Sequence, residues 1–130
     1  MRAVATATIA GVSLILGATT ARAQAPASPV QQRMRQLMAA EEQYYSDHGT
    51  YTTDLSALGL MSKLDRKEPQ VWLRVYHAGG AGWIADAQGS NGMAGSCVAF
   101  VGDLSNFASV PTTQAKRLKP MEEGVITCDP

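Results

Sequence analysis

The sequence lacks the short motifs that mark common catalytic and metal-binding sites. It contains no H-x-x-x-H, C-x-x-C or G-x-S-x-G spacing. Its glycine-rich stretch GSNGMAGS (89–96) has neither the lysine nor the following helix of a phosphate-binding loop, so we interpret it as a hairpin turn. We therefore predict no catalytic residue, no cofactor-binding residue and no metal ligand.

An excess of positive charge is also missing. Lys and Arg together number 11, and Asp and Glu together also number 11. A nucleic-acid binder would need a basic face, and an anionic lipid surface would need a polybasic run. The charge balance therefore excludes nucleic acid as the expected partner.

No apolar run is long enough to span a bilayer comfortably, which takes about 20 residues. The apolar core GVSLILGA (11–18) follows a single early charge at Arg2 and precedes two A-x-A cleavage sites, 21–23 and 23–25. This pattern predicts a secretory signal peptide over 1–23 rather than a membrane anchor. We expect an exported protein, periplasmic or extracellular, with no stable membrane span after cleavage.

Cysteine is scarce. The two cysteines, Cys97 and Cys128, both follow the predicted cleavage sites. In an oxidising compartment such a pair usually bonds, whereas a thiol site would be expected to show a C-x-x-C spacing. We predict a structural disulfide, which the chain-entropy argument values at about 3.5 kcal/mol.

Hydrophobic periodicity predicts one N-terminal helix. After a short flexible leader (24–29), apolar residues recur at helical spacing over 30–48, between an N-cap at Ser28 and a stop at Gly49. A short turn follows, and its Leu55 and Leu58 are expected to close the end of the core.

Beyond the helix the pattern changes to the alternation of strands. Predicted strands cover 71–76, 83–87, 97–101 and 124–128, with loops over 61–69 and 102–123. The predicted fold class is α+β: one amphipathic helix packed on an antiparallel meander of three to four strands, in a single domain over 30–130.

Several segments, in order, resemble the globular domain of bacterial type IV pilins and type II secretion pseudopilins. AAEEQYYSDHGTYTTDLSALG (39–59) resembles the stretch where the long helix of those proteins ends in an N/H-G-x-Y loop and an L-x-x-L-G turn. GWIADA (82–87) resembles a pilin strand in which Trp and Ala alternate. SCVAFVG (96–102) and EGVITCDP (123–130) resemble the segments that carry the two cysteines of the C-terminal disulfide. The resemblance implies a pilin-like domain.

The resemblance also gives the aromatic residues a structural interpretation. Tyr44, Tyr45 and Tyr51 would pack the helix end against the loop and the sheet edge, since a tyrosine ring buries well while its hydroxyl finds a polar partner. The alternative is an aromatic ligand platform. The aromatic residues of the predicted strands are Trp72, Tyr76 and Trp83. With Tyr51 they would line the pocket of a small exported ligand carrier or enzyme.

The N terminus departs from the family. Pilins and pseudopilins carry a basic leader, a G-F-[ST]-L-I-E-type junction and then a long apolar helix. Here GVSLIL (11–16) is faintly similar, but Leu16 stands in place of the glutamate and no basic residue directly precedes Gly11. The chain is therefore similar to the globular half of a pilin behind an ordinary signal peptide. The alternative is a minor pilin or pseudopilin processed at GVSLIL.

The remaining candidates for chemistry are few. His48 is expected to cap the helix, and His77 ends a strand. The resemblance also implies a possible calcium ion in a C-terminal loop, where the oxygens of Asp103, Ser105 and Asn106 would bind it; a surface turn is the alternative. Glu122 and Glu123 are interpreted as a solvated pair. We expect a non-enzymatic structural or interaction module whose partner is a pilus or secretion-system component, or a surface ligand.

Overall fold

A computed structural model gives the fold. It describes residues 27–60, 70–90 and 92–130. The predicted signal peptide (1–23), the first half of the predicted leader (24–26 of 24–29) and the predicted loop over 61–69 lie outside the described residues.

The N-terminal helix α1 covers Pro29–His48, as the periodicity predicted. Ser28 caps it, because its Oγ accepts a hydrogen bond from the backbone N–H of Gln31 at 3.1 Å. Gly49 ends it in the left-handed conformation, with φ 72°, which glycine adopts without steric cost.

Four antiparallel strands follow in chain order. They are β1 (Gln70–Gly79), β2 (Gly82–Ser90), β3 (Ser96–Val101) and β4 (Thr127–Cys128), and the sheet order is β1-β2-β3-β4. Cys97 on β3 lies directly opposite Cys128 on β4, and the two form the predicted disulfide. One helix on an antiparallel four-stranded sheet confirms the predicted α+β class.

The last strand is shorter than predicted. Residues 124–128 were expected to form it, but only Thr127 and Cys128 do. Gly124 has φ 74°, and the backbone N–H of Val125 donates to the carbonyl of Glu122 at 3.2 Å. The chain is therefore still turning at 122–125 and pairs with β3 only afterwards.

One face of the sheet packs against α1, and we call it the helix face. Its buried core consists of Val30, Met34, Leu37, Trp83, Ala85, Ala87, Cys97 and Ala99. Alanines on the two central strands leave room for the helix side chains to pack closely on the sheet. Leu55 and Leu58 pack against this core, as expected.

The opposite face, which we call the outer face, is only partly covered. The connection over 102–123, predicted to be irregular, contains one short 3-10 helix (Leu104–Asn106) and folds across part of this face. There Phe107 packs with Ile84 and Phe100 in a second buried cluster. The part of the outer face nearest β1 stays open, and the candidate site lies there.

Candidate functional site

Two adjoining hollows occupy the open part of the outer face, and together we call them the outer groove. Their volumes are about 470 Å³ and about 280 Å³, close to the lower part of the range for small-molecule sites. Both are lined by Tyr76, Asp86 and Gln88. The larger is also lined by Pro111, Thr112, Gln114 and Arg117, and the smaller by Trp72, Leu73 and Arg74.

Strand alternation places the sheet residues of the groove. Trp72 lies directly opposite Gln88 in the β1–β2 register, and Arg74 lies directly opposite Asp86. Directly opposite side chains on one face of an antiparallel pair are in contact distance. The register shifts between Val75 and His77, so Tyr76 occupies a bulge, a feature that re-aims side chains at the edges of sheets.

Asp86 is the centre of the groove. It is only 4% exposed, and its Oδ2 accepts hydrogen bonds from the Tyr76 hydroxyl at 3.0 Å and from Gln88 Nε2 at 2.8 Å. Burial raises the pKa of this carboxyl, while those two hydrogen bonds and the charge of Arg74 oppose the rise. Burial and the Asp86 charge likewise raise the pKa of Tyr76.

The connection contributes Pro111, Thr112, Gln114 and Arg117 to the groove, and we call this side the far wall. A chain of hydrogen bonds extends from the Asp86 carboxylate to it. Gln114 Nε2 donates to Gln88 Oε1 at 2.7 Å, and Gln88 in turn donates to Asp86. On the other side the Arg74 guanidinium lies over the Tyr76 ring, 4.8 Å from its centroid. The sheet and the connection are thus joined across the groove by side chains.

The far wall is positioned by the C terminus. The backbone N–H of Gln114 donates to Ser96 Oγ at 2.7 Å, and the next two backbone N–H groups donate to the Asp129 carboxylate at 2.8 and 3.0 Å. Burial tends to raise the pKa of Asp129, but hydrogen bonds from the Thr113 side chain, from those two backbone N–H groups and from Ser96 Oγ lower it to about 2. Asp129 follows Cys128, so the disulfide fixes the residue that holds this wall.

The predicted helix-end tyrosines lie at the other end of the molecule from the C-terminal wall. Tyr45 and Tyr51 stack with ring centroids 4.5 Å apart, and the Tyr51 hydroxyl donates to Glu42 Oε1 at 3.1 Å. The backbone N–H of Tyr51 donates to the carbonyl of Gly79 at 3.1 Å, which ties the loop to the end of β1. Burial and the bond to Glu42 raise the pKa of Tyr51 to about 12.

Tyr44 and the two histidines make local contacts. Tyr44 stacks on His48 with centroids 4.0 Å apart, and His48 Nδ1 lies 3.0 Å from the Tyr44 carbonyl oxygen. His77 meets Phe107 edge-on at 5.4 Å. The His48 contact agrees with the predicted capping position.

The four aromatics of the predicted pocket divide between the two faces. Trp72 and Tyr76 line the outer groove, with Trp72 51% exposed. Trp83 is fully buried in the helix-face core, and Tyr51 packs against that same core. Of the four, the structure brings only Trp72 and Tyr76 together at the groove.

The predicted calcium residues form a turn. Asp103 Oδ1 accepts hydrogen bonds from the backbone N–H of Ser105 at 2.9 Å and from its hydroxyl at 2.8 Å, and these bonds lower the Asp103 pKa. Across 27–60, 70–90 and 92–130, no three His, Cys, Asp or Glu side chains are grouped to hold a metal ion. Glu123, expected to be solvated, accepts from the backbone N–H of Gly102 at 2.8 Å.

One buried carboxylate was not expected. Glu41 on α1 is fully buried, and its Oε2 accepts from the backbone N–H of Thr52 at 3.0 Å. Its Oε1 has no hydrogen-bond partner among the described residues, and burial raises the Glu41 pKa to about 7. The helical spacing could have predicted this burial, because Glu41 continues the buried series Val30, Met34, Leu37.

No helix in the described part of the chain has the length and apolar character needed to cross a membrane. No protein-family model and no curated protein matches this chain.

Proposed function

We propose that the chain is an exported, non-enzymatic interaction module built on a pilin-like globular domain. The observation that carries the proposal is the outer groove, an open polar site on the sheet face opposite the helix. Its walls come from the sheet and from a connection held by the C-terminal disulfide segment. Such a site presents fixed polar groups to a ligand or partner.

The pilin-like part of the proposal is supported by the order of elements. A long N-terminal helix, a tyrosine-bearing loop, an antiparallel meander and a disulfide between the last two strands follow one another along the chain. This order agrees with the sequence resemblance. It favours association with a type IV pilus, a type II secretion apparatus or the cell surface.

The bonding of Asp86 favours binding over catalysis. A catalytic carboxylate must be within reach of the substrate with which it exchanges a proton. Only 4% of Asp86 is exposed, and its Oδ2 already accepts hydrogen bonds from Tyr76 and Gln88, so a substrate has little access to it. In this proposal Asp86 holds the groove in shape and does not react.

Intact-mass spectrometry of the protein, purified from its own cells without reductant, tests the proposal. We expect a chain that begins at Gln24 or Pro26 and is lighter by two hydrogens because of the disulfide. A chain that begins at Val12 with a methylated amine would instead indicate a filament subunit processed at GVSLIL. A chain that retains residues 1–23 and carries free thiols would overturn export.

A further inference from the structure

We propose that the outer groove binds an acidic saccharide, a short sugar chain that carries carboxylate groups. The inference rests on the proposed function, because it names the ligand class of the binding module. Four properties of the groove support it: an exposed indole, a lining of amides and hydroxyls, unengaged positive charge, and an extended shape.

The exposed indole belongs to Trp72. Trp72 is 51% exposed and lines the smaller hollow next to Arg74. The negative face of an aromatic ring attracts the slightly positive C–H groups on the flat side of a sugar ring. Trp72 can therefore serve as a stacking platform at one end of the groove.

The lining supplies the polar groups that sugar hydroxyls require. Gln88 and Gln114 bond to each other through one N–H and one carbonyl oxygen, and Gln88 gives a second bond to Asp86. Each amide still has one N–H available, and Gln114 Oε1 accepts no hydrogen bond from the described residues. Thr112 adds a hydroxyl. A predominantly apolar cofactor would leave these groups unsatisfied, whereas a polyhydroxylated ligand would bond to them.

Positive charge selects an acidic sugar over a neutral one. Arg117 lines the larger hollow and makes no hydrogen bond or ion pair within the part of the chain that the structure describes. Its φ of 54° is the one positive value at a non-glycine position among the described residues, in a region that bulky side chains seldom adopt. Lys116 and Lys119 flank it in sequence. A guanidinium forms paired hydrogen bonds with a carboxylate, so Arg117 is a suitable anchor for one.

The shape of the groove favours more than one sugar unit. The two hollows meet at Tyr76, Asp86 and Gln88, with Trp72 beside one and Arg117 beside the other. The charge of Asp86 faces Arg74, the residue directly opposite it on the neighbouring strand. An extended acidic chain can therefore stack on Trp72 at one end and place a carboxylate at Arg117 at the other.

The mature exported protein, purified with its disulfide oxidised, should be titrated with an oligogalacturonate and with a neutral maltooligosaccharide of equal length. Tryptophan fluorescence reports directly, because Trp72 is half exposed while the second tryptophan, Trp83, is fully buried. We expect a saturable change with the oligogalacturonate and a dissociation constant for the neutral sugar that is at least about tenfold higher. Calorimetry should give the same order of dissociation constants for the two sugars.

Matched variants locate the binding. Trp72→Ala and Arg117→Gln should each raise the dissociation constant for the oligogalacturonate about tenfold, measured by calorimetry. Lys119→Gln removes an exposed cation of the same loop that lies outside the groove lining, and it should leave the constant within about twofold. Far-ultraviolet circular dichroism and melting curves must show that all three variants are folded.

Three results would overturn the proposal: no saturable binding of the oligogalacturonate, equal affinity for both sugars, or equal weakening by Arg117→Gln and Lys119→Gln. The last would mean unspecific attraction to a basic loop. A mature N terminus at Gln24 or Pro26 together with any of these results would overturn only the ligand class and leave the proposed module intact.

Discussion

The two faces of the sheet are built differently although they share the same central strands. On the helix face, β2 and β3 contribute five fully buried residues: Trp83, Ala85, Ala87, Cys97 and Ala99. On the outer face Ile84 and Phe100 are buried under the connection, while Asp86 and Gln88 face the open groove. The helix face is a packed core, whereas the outer face contains a small buried cluster with a polar groove beside it.

Each face contains a buried carboxylate, and the two are satisfied to different degrees. Asp86 accepts hydrogen bonds from two side chains at one oxygen, whereas Glu41 accepts one backbone hydrogen bond and leaves Oε1 without a partner among the described residues. Trp83 Nε1, also on the helix face, lacks a partner in the same sense. Unsatisfied buried polar groups destabilise a fold, so the core, rather than the groove, contains the weaker polar arrangement.

The largest effect is expected from a charge in the helix-face core. Leu37→Asp buries an unpaired carboxylate between α1 and the sheet and should destabilise the domain by more than about 4 kcal/mol, enough to prevent folding. Ala39→Asp, two positions along on the exposed side of α1, is the matched control and should fold. A folded Leu37→Asp protein, by circular dichroism and a cooperative melt, would contradict the description of this face as core.

The disulfide comes next, because it belongs to the helix-face core and directly precedes Asp129, which holds the groove wall. Reduction, or the double change Cys97→Ala with Cys128→Ala, should lower the free energy of unfolding by about 3.5 kcal/mol. Since Asp129 follows Cys128 and holds residues 115 and 116, the loss should also loosen the groove wall. Hydrogen exchange at those amides should rise more than exchange in the middle of α1. Identical melting temperatures with and without reductant would refute this prediction.

Glu41 should make the helix face sensitive to pH. Its folded pKa of about 7 lies above the ordinary value of 4.5, so the folded state keeps the proton longer than the unfolded state does. Stability should therefore fall as pH rises from 4.5 to about 7, by roughly 1 to 3 kcal/mol. Glu41→Gln should remove this fall and be the more stable protein at pH 8, measured by denaturant unfolding.

The matched control for Glu41 is the next residue of the helix. Glu42→Gln changes an exposed carboxylate and should keep most of the wild-type decline with pH, because burial contributes more to the raised Glu41 pKa than the Glu42 charge does. If Glu41→Gln declines with pH as steeply as the wild type, another group is responsible and the contrast between the two buried carboxylates fails.

The helix and the sheet could be predicted because they depend on local patterns. The series Val30, Met34, Leu37 defines one helical stripe, and Ser28 and Gly49 define its ends. The separation of Trp83 and Ala85 from Ile84 and Asp86 on opposite faces followed from strand alternation, and the structure confirms it. The disulfide followed from the count of cysteines and the expected compartment.

The groove could be predicted only in part. Alternation placed Trp72 and Tyr76 on one strand face. The segment that carries Gln114 and Arg117 is instead held at the groove by non-local backbone hydrogen bonds of residues 114 and 115 to Ser96 and Asp129. No periodicity encodes contacts between an irregular connection and a C terminus. Glu41 was missed for another reason: a charged residue in a helical stripe is ordinarily exposed, and here tertiary packing overrides that preference.

The smallest effect is expected at the centre of the groove. Tyr76→Phe removes the hydroxyl that donates to Asp86 at 3.0 Å but keeps the ring under Arg74. Because Asp86 keeps its bond from Gln88 and the groove is open to solvent, the loss in unfolding free energy should be about 1 kcal/mol. The Asp86 pKa should rise further, since one opposing hydrogen bond is lost. A loss of more than about 3 kcal/mol in unfolding free energy would mean that the outer face excludes water as fully as the helix face does. The distinction between a packed core and an open site would then not hold.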